Sequence, residues 1–188
     1  MNRNENPIKL VIIGGENSGK TKFCEFFYGN NQDIDFTNYQ ATEGASFFAK
    51  DIIYKKNYYN LNAWDTSGQE KYDYLNGFFY RDADIIFIFF IYNNKDSFQR
   101  ANALYQTAKY NTKPNAIFAL IGNKYDEDKI CLKEEDNILH EEEILEFTEE
   151  NNLIFGHLSI KEKYSNGINE IFIKAMNEYI KRKKNKYI

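Results

Sequence analysis

Cysteine is scarce in this chain, with only Cys24 and Cys131 among 188 residues. That excludes a disulfide-rich secreted scaffold and a zinc site built on four thiolates. It suits reduced thiols in a cytosolic setting. Proline is equally scarce, represented by Pro7 and Pro114. No Pro-, Gly- or Ser-rich linker and no internal repeat divides the chain. Positive charge is not in excess: the net charge is −4 and the pI about 5.4. A global positive field for nucleic acid is therefore excluded. The longest apolar run, Ile85 to Tyr92, has the length of a strand and cannot span a bilayer. The start, Met1-Asn2-Arg3-Asn4-Glu5-Asn6, lacks the apolar region of a signal peptide. Asn2 leaves no glycine for myristoylation.

Aromatics, by contrast, are abundant. Fifteen Tyr and sixteen Phe are too many for a disordered chain. The length fits one domain, at roughly 150 residues per domain. Strand-like and helix-like segments alternate throughout. Ile8–Ile13 is a run rich in β-branched residues, and Lys20–Tyr28 reads as a helix with Phe23, Phe26 and Phe27 on one face. Ala45–Tyr54 and Tyr58–Trp64, separated by Lys55-Lys56-Asn57, predict a hairpin. Ile85–Ile91 and Ala116–Ile121 are continuous apolar runs, the signature of strands covered on both faces. Leu153-Ile154-Phe155 is a weaker third case. Helices are predicted over 95–110, 134–150 and 167–184, the last with Ile168, Ile171, Phe172, Ala175, Met176 and Tyr179 on one face. Such alternation predicts an α/β fold with a mostly parallel sheet and helices on both faces. The hairpin adds one antiparallel edge strand.

Three segments carry chemistry. Strand Ile8–Ile13 runs into Gly14-Gly15-Glu16-Asn17-Ser18-Gly19-Lys20-Thr21, a G-x-x-x-x-G-K-[ST] loop directly before a helix. Backbone N–H groups of such a loop cradle phosphates, helped by the positive helix end. The binding positions are Gly14, Glu16, Asn17, Ser18, Gly19, Lys20, Thr21 and the adjoining Lys22. Lys20 is placed to reach the β- and γ-phosphates, and the Thr21 hydroxyl to ligate Mg²⁺. The loop fixes phosphates and leaves the base open. Asn123-Lys124-Tyr125-Asp126 follows a buried strand, at the sheet edge where ligands bind in open α/β folds. A carboxylate accepts the paired N–H donors of guanine, which adenine lacks, so Asp126 selects guanine. Lys124 can cover the base with its aliphatic stem. The third segment is Asp65-Thr66-Ser67-Gly68-Gln69-Glu70. Asp65 can hold the magnesium as a Walker-B acid does. Gly68 lets the backbone approach a γ-phosphate, and Gln69 is the candidate for orienting the attacking water. Thr42, in the polar loop before the second strand, supplies a further Mg²⁺ ligand.

These residues resemble the Ras-like small GTPases, and within them the Rab group, along nearly the whole chain. GGENSGKT is similar to the family's phosphate loop, ATEG to its first switch, WDTSGQE to its second, and NKYD to its guanine reader. Ser159-Ile160-Lys161 resembles its base-contacting loop. The resemblance implies a P-loop NTPase small G-domain: six strands, five of them parallel, and five helices. It implies Mg²⁺ and GTP/GDP as cofactors. It matches Phe36 to the aromatic edge cover on guanine and Tyr39 to the tyrosine that closes over the phosphates. Phe47, Trp64 and Phe79 match the three aromatics of the Rab effector surface; ordinary core packing is the alternative. Protein effectors, an exchange factor and a GTPase-activating protein are expected near 36–47 and 65–80.

Departures from the family carry information too. Glu16 stands where Gly or Ser is usual, and Asn17 replaces a Gly, although Asn tolerates left-handed backbone. Glu43 replaces an apolar residue, and the first-switch loop is one residue short. The stretch Lys181-Arg182-Lys183-Lys184-Asn185-Lys186-Tyr187-Ile188 is basic and carries none of the prenylated cysteines of Rabs. It either attracts anionic lipid or simply ends a helix favourably. The expectation is one GTPase domain over 1–180 with a basic tail over 181–188. It is a monomeric, cytoplasmic switch, at most peripheral on endomembranes, hydrolysing GTP slowly in vesicle traffic. The rivals are a guanine-nucleotide-binding scaffold with little hydrolysis, and a P-loop ATPase or kinase, against which Asp126 argues.

Overall fold

The computed structural model describes residues 6–29, 40–124, 139–160 and 166–185. Six strands form one sheet: β1 (Ile8–Gly14), β2 (Ala45–Tyr54), β3 (Asn57–Thr66), β4 (Ile85–Ile91), β5 (Ile117–Asn123) and β6 (Ile154–His157). Their order is β2-β3-β1-β4-β5-β6. Only β2–β3 is antiparallel; the other neighbours run parallel. Among the described residues the α-helices are α1 (Lys20–Tyr28), α2 (Asn76–Tyr80), α3 (Lys95–Asn111), α4 (Glu141–Glu150) and α5 (Asn166–Asn185). The expected α/β architecture is therefore present.

The apolar runs explain the layering. Along β4, Ile85, Phe87 and Phe89 join one core with Phe23 of α1 and Ile168, Ile171 and Met176 of α5. Ile86, Ile88 and Phe90 join the opposite core with Tyr80 of α2, Phe98 and Leu104 of α3, and Ile144 of α4. Successive side chains of a strand point to opposite faces, so an unbroken apolar run feeds both cores at once. The β2–β3 connection is two residues long, Lys55 and Lys56, both with positive φ. Two-residue hairpins need that backbone to match strand twist.

One helix boundary differs from the sequence reading. The helix predicted from 134 begins at Glu141, within the described residues. Glu141, Glu142 and Glu143 fill its first turn, where the positive helix end stabilises them. Helix α5 spans Asn166–Asn185, in agreement with the helix expected over 167–184, and carries Lys181 to Lys184 in its last turns. Arg182 there donates to the Ala116 carbonyl and to Glu178. Residues 125–138, with Cys131, lie outside the described residues.

Candidate nucleotide site

Register places the chemistry at one edge. Ile12 pairs with Asp65, Gly14 with Phe89, and Ile91 with Asn123. The ends of β1, β3 and β5 thus deliver Gly14, Asp65 and Asn123 to the C-terminal edge of the sheet, where ligands bind in this architecture.

The phosphate loop wraps around its own lysine. Lys20 is 6% exposed and donates to the carbonyls of Gly14 (3.0 Å) and Gly15 (2.8 Å). Burial lowers its pKa to about 8, against the attraction of Asp65. Desolvation disfavours the charged ammonium here, and phosphate oxygens are the kind of counter-charge that favours it. Ser18 is buried and donates to Gly15 O. Asn17 has φ +57°, the left-handed backbone that asparagine accepts. Gly19 has φ +93°. Glu16 is exposed. Lys22 pairs with Glu25 of the same helix.

Three oxygen-bearing side chains converge at the start of α1. The Thr21 hydroxyl donates to Asp65 Oδ2 at 2.6 Å and lies 2.9 Å from the Thr42 hydroxyl. Asp65 is fully buried, and its Oδ1 has no hydrogen-bond partner among the described residues. Burial, opposed by the Thr21 hydrogen bond and by Lys20, raises its pKa to about 6. A hard divalent cation suits two hydroxyls and a carboxylate. The donor set and the orphaned oxygen together fit Mg²⁺.

The second switch lies against the phosphate loop. A Cβ on Gly68 would fall 2.6 Å from the Gly15 backbone and 2.7 Å from Glu16 N, so only glycine fits. Gln69 follows, half-buried, its N–H donating to Ser67 Oγ at 3.2 Å. Ser67 N donates to Gly44 O at 2.8 Å and ties together the two segments expected to be switches. On the base side, Asn123 Nδ2 donates to Ser18 O at 2.8 Å, and its Oδ1 is buried without a partner among the described residues. Lys124 has φ +64°. Ser159 is half-buried and Ile160 buried, with Ile160 Cδ1 beside Gly19. Phe36, Tyr39, Asp126 and Lys161 lie outside the described residues. Phe47, Trp64 and Phe79 form a strip, with ring centroids 4.9 Å and 5.6 Å apart. Phe47 is 52% exposed, while Trp64 and Phe79 are half-buried and Phe79 also packs against the second core.

Sequence reasoning missed Arg100 and Asp73. Arg100 Nη2 donates to both carboxylate oxygens of Asp73 at 2.7 and 2.8 Å. No motif links residues so far apart in the chain; a buried-face arginine on α3 was the only available signal.

The fold and site define a P-loop nucleotide-binding α/β domain. The comparisons with known proteins agree. The Ras family model matches residues 9–181. "Ras-related protein Rab-5A" of Dictyostelium discoideum is 31% identical over 176 residues, 92% of this chain and 82% of that protein. "Ras-related protein RHN1" of Nicotiana plumbaginifolia is 33% identical over 164 residues, 87% of this chain and 76% of that protein. "Ypt/Rab-type GTPase ypt71" of Schizosaccharomyces pombe is 36% identical over 124 residues, 64% of this chain and 58% of that protein. The chain belongs to the Ras family and is Rab-like within it.

Proposed function

We propose that the protein is a Mg²⁺-dependent guanine-nucleotide switch that hydrolyses GTP. The observation that carries this reading is the convergence of Thr21, Thr42 and the orphaned Asp65 carboxylate beside the enclosed Lys20. Thr21, Thr42 and Asp65 would hold the cation. When bound, it neutralises charge on the β- and γ-phosphates. Lys20 and the backbone N–H groups of Gly14 to Lys22 bind the phosphates. Asn123 braces the phosphate loop, Lys124 covers the base and Asp126 selects guanine. Ser159, Ile160 and Lys161 contact the base, and Phe36 and Tyr39 close over the nucleotide. Gly68 meets the γ-phosphate and Gln69 orients the attacking water.

Glu16 is exposed in the cleft that Gln69 also lines. A negative side chain there opposes the positive charge that the transition state needs. Slow hydrolysis follows from that placement. Effectors and regulators dock on the first- and second-switch surfaces, including Phe47, Trp64 and Phe79. Vesicle traffic is the setting that the Rab resemblance suggests. Among the described residues no helix is long and apolar enough to cross a membrane, which fits peripheral membrane contact. Phosphate release from GTP and ATP, with and without Mg²⁺, tests the reading. Release from GTP alone, dependent on Mg²⁺, is expected, and Asp126→Asn should transfer binding to xanthine nucleotides. Equal use of ATP, or tight GTP binding by Asp126→Asn without a gain for xanthine, overturns it.

A further inference from the structure

The segment after Gln69 is poorly anchored by apolar contacts. It is a six-residue 3-10 helix, Glu70–Leu75, in which no residue is buried. Such helices are short and weakly bonded. On its N-terminal side, Gln69 is fixed by the close fit of Gly68 on Gly15 and by Ser67. On its C-terminal side the tie is Asp73. Its Oδ1 accepts from Asn76 Nδ2 at 3.1 Å, and both of its oxygens accept from Arg100.

Arg100 comes from a rigid support. Helix α3 buries Ala101, Leu104 and Tyr105 against the sheet, and Asn94 caps its start by accepting from Ser97 N. The Arg100 stem also passes the phosphate loop, with Cγ 3.4 Å from the point where a Gly15 Cβ would lie. Arg100, Gln69, Gly68 and Glu16 line one cleft of about 540 Å³. One side chain therefore runs beside the phosphate loop and clamps the strap that carries Gln69.

We propose that Arg100 is a positioning residue for hydrolysis: by gripping Asp73 it holds Gln69 beside the phosphate loop. This rests on the hydrolytic reading above. Precise placement matters because a shift of about 1 Å can cost about 100-fold in rate. The two-bond geometry of a guanidinium on a carboxylate supplies that precision, which a lysine point charge does not.

The test is single-turnover GTP hydrolysis together with GTP and GDP affinity, on the full chain. Arg100→Ala and Asp73→Asn should each slow hydrolysis by about 10-fold or more, with affinities close to wild type. Arg100→Lys should fall between. In a Gln69→Leu background, Arg100→Ala should change nothing further, an outcome that general loss of structure would not produce. Asp73→Asn keeps the test open should Arg100→Ala fail to fold, since Asp73 is partly exposed and nearly isosteric with Asn. Unchanged hydrolysis in a variant that binds GTP normally overturns the proposal alone. So does a loss in Arg100→Ala far exceeding that in Asp73→Asn, which would mark Arg100 as a direct phosphate cation. A wild type that binds GTP and never hydrolyses it overturns both this proposal and the hydrolytic reading.

Discussion

Gly19 joins the phosphate loop to the base-reading loop, and a single methyl group there should uncouple them. Its φ of +93° is a backbone that L side chains rarely adopt, and an added Cβ would sit 2.0 Å from Asn123 Nδ2. Two costs follow for Gly19→Ala. The left-handed backbone costs about 1–2 kcal/mol. Asn123 must also swing away, breaking its buried bond to Ser18 O. Leaving such a group unsatisfied costs about 1–3 kcal/mol. Together they amount to about 2–5 kcal/mol, or about 5–15 °C in melting temperature for a domain of this size. Thermal melts of the nucleotide-free protein measure the first effect, and titration with fluorescent GDP and GTP measures weakened binding. The Asn123→Ala background isolates the collision: with the amide gone, Gly19→Ala should cost only the backbone term. Equal costs in both backgrounds would refute the argument, because the two residues would then not compete for space.

The Lys20 charge should be a burden on the empty fold. Its pKa falls to about 8 on burial, from about 10.4 in an exposed chain. The folded state thus disfavours the charged form, and that cost is full below about pH 8 and gone above about pH 10.5. Lys20→Met should abolish tight GTP binding. Its nucleotide-free stability relative to wild type should fall by up to about 3 kcal/mol between pH 7 and pH 10; a difference independent of pH in denaturant titrations would contradict this. Glu16→Gly should speed single-turnover hydrolysis, and adding Gln69→Leu should remove the gain. A wild type already as fast as the Gly variant means that the carboxylate points away from the phosphate. Trp64 is the only tryptophan, and it sits between Phe47 and Phe79. Exchange of GDP for a non-hydrolysable GTP analogue should change its emission, and a spectrum identical in both states would detach the aromatic strip from the switch.

The strands were legible because the sequence states their environment directly. Ile85–Ile91 is apolar at every position, and the structure uses both parities, one for each core. The phosphate loop and its metal-ligand candidates were legible because closely spaced residues carry the chemistry: Gly14 to Thr21 in one loop, Asp65 to Gln69 in another. The tie between Asp73 and Arg100 was not, since 27 residues and two elements separate partners that share no periodic pattern. The expected start of α4 at 134 is not where the helix begins: Leu139 and His140 precede it, and the helix opens on the acidic turn at Glu141. Periodicity reports burial, whereas helix ends answer to local charge and capping.

The same geometry shows how a change at the phosphate edge can reach the outer surface. Gly68 lies on the Gly15 backbone, so a group pressing on that loop moves Gly68 and its neighbour Ser67. Ser67 N is bonded to Gly44 O, the residue just before β2. From there the antiparallel ladder is short: Ala45 pairs with Thr66 and Phe47 with Trp64. Backbone hydrogen bonds in a paired ladder allow little independent motion, so Ser67 and Phe47 shift together or the ladder opens. Thr42, two residues before Gly44, meets Thr21, the pair proposed to hold the cation. Both ties from the phosphate loop and Thr21 therefore end at the start of β2. Phe47, the exposed end of the aromatic strip, lies two ladder positions beyond Ala45, which under the proposed switch makes it the surface best placed to differ between two nucleotide states.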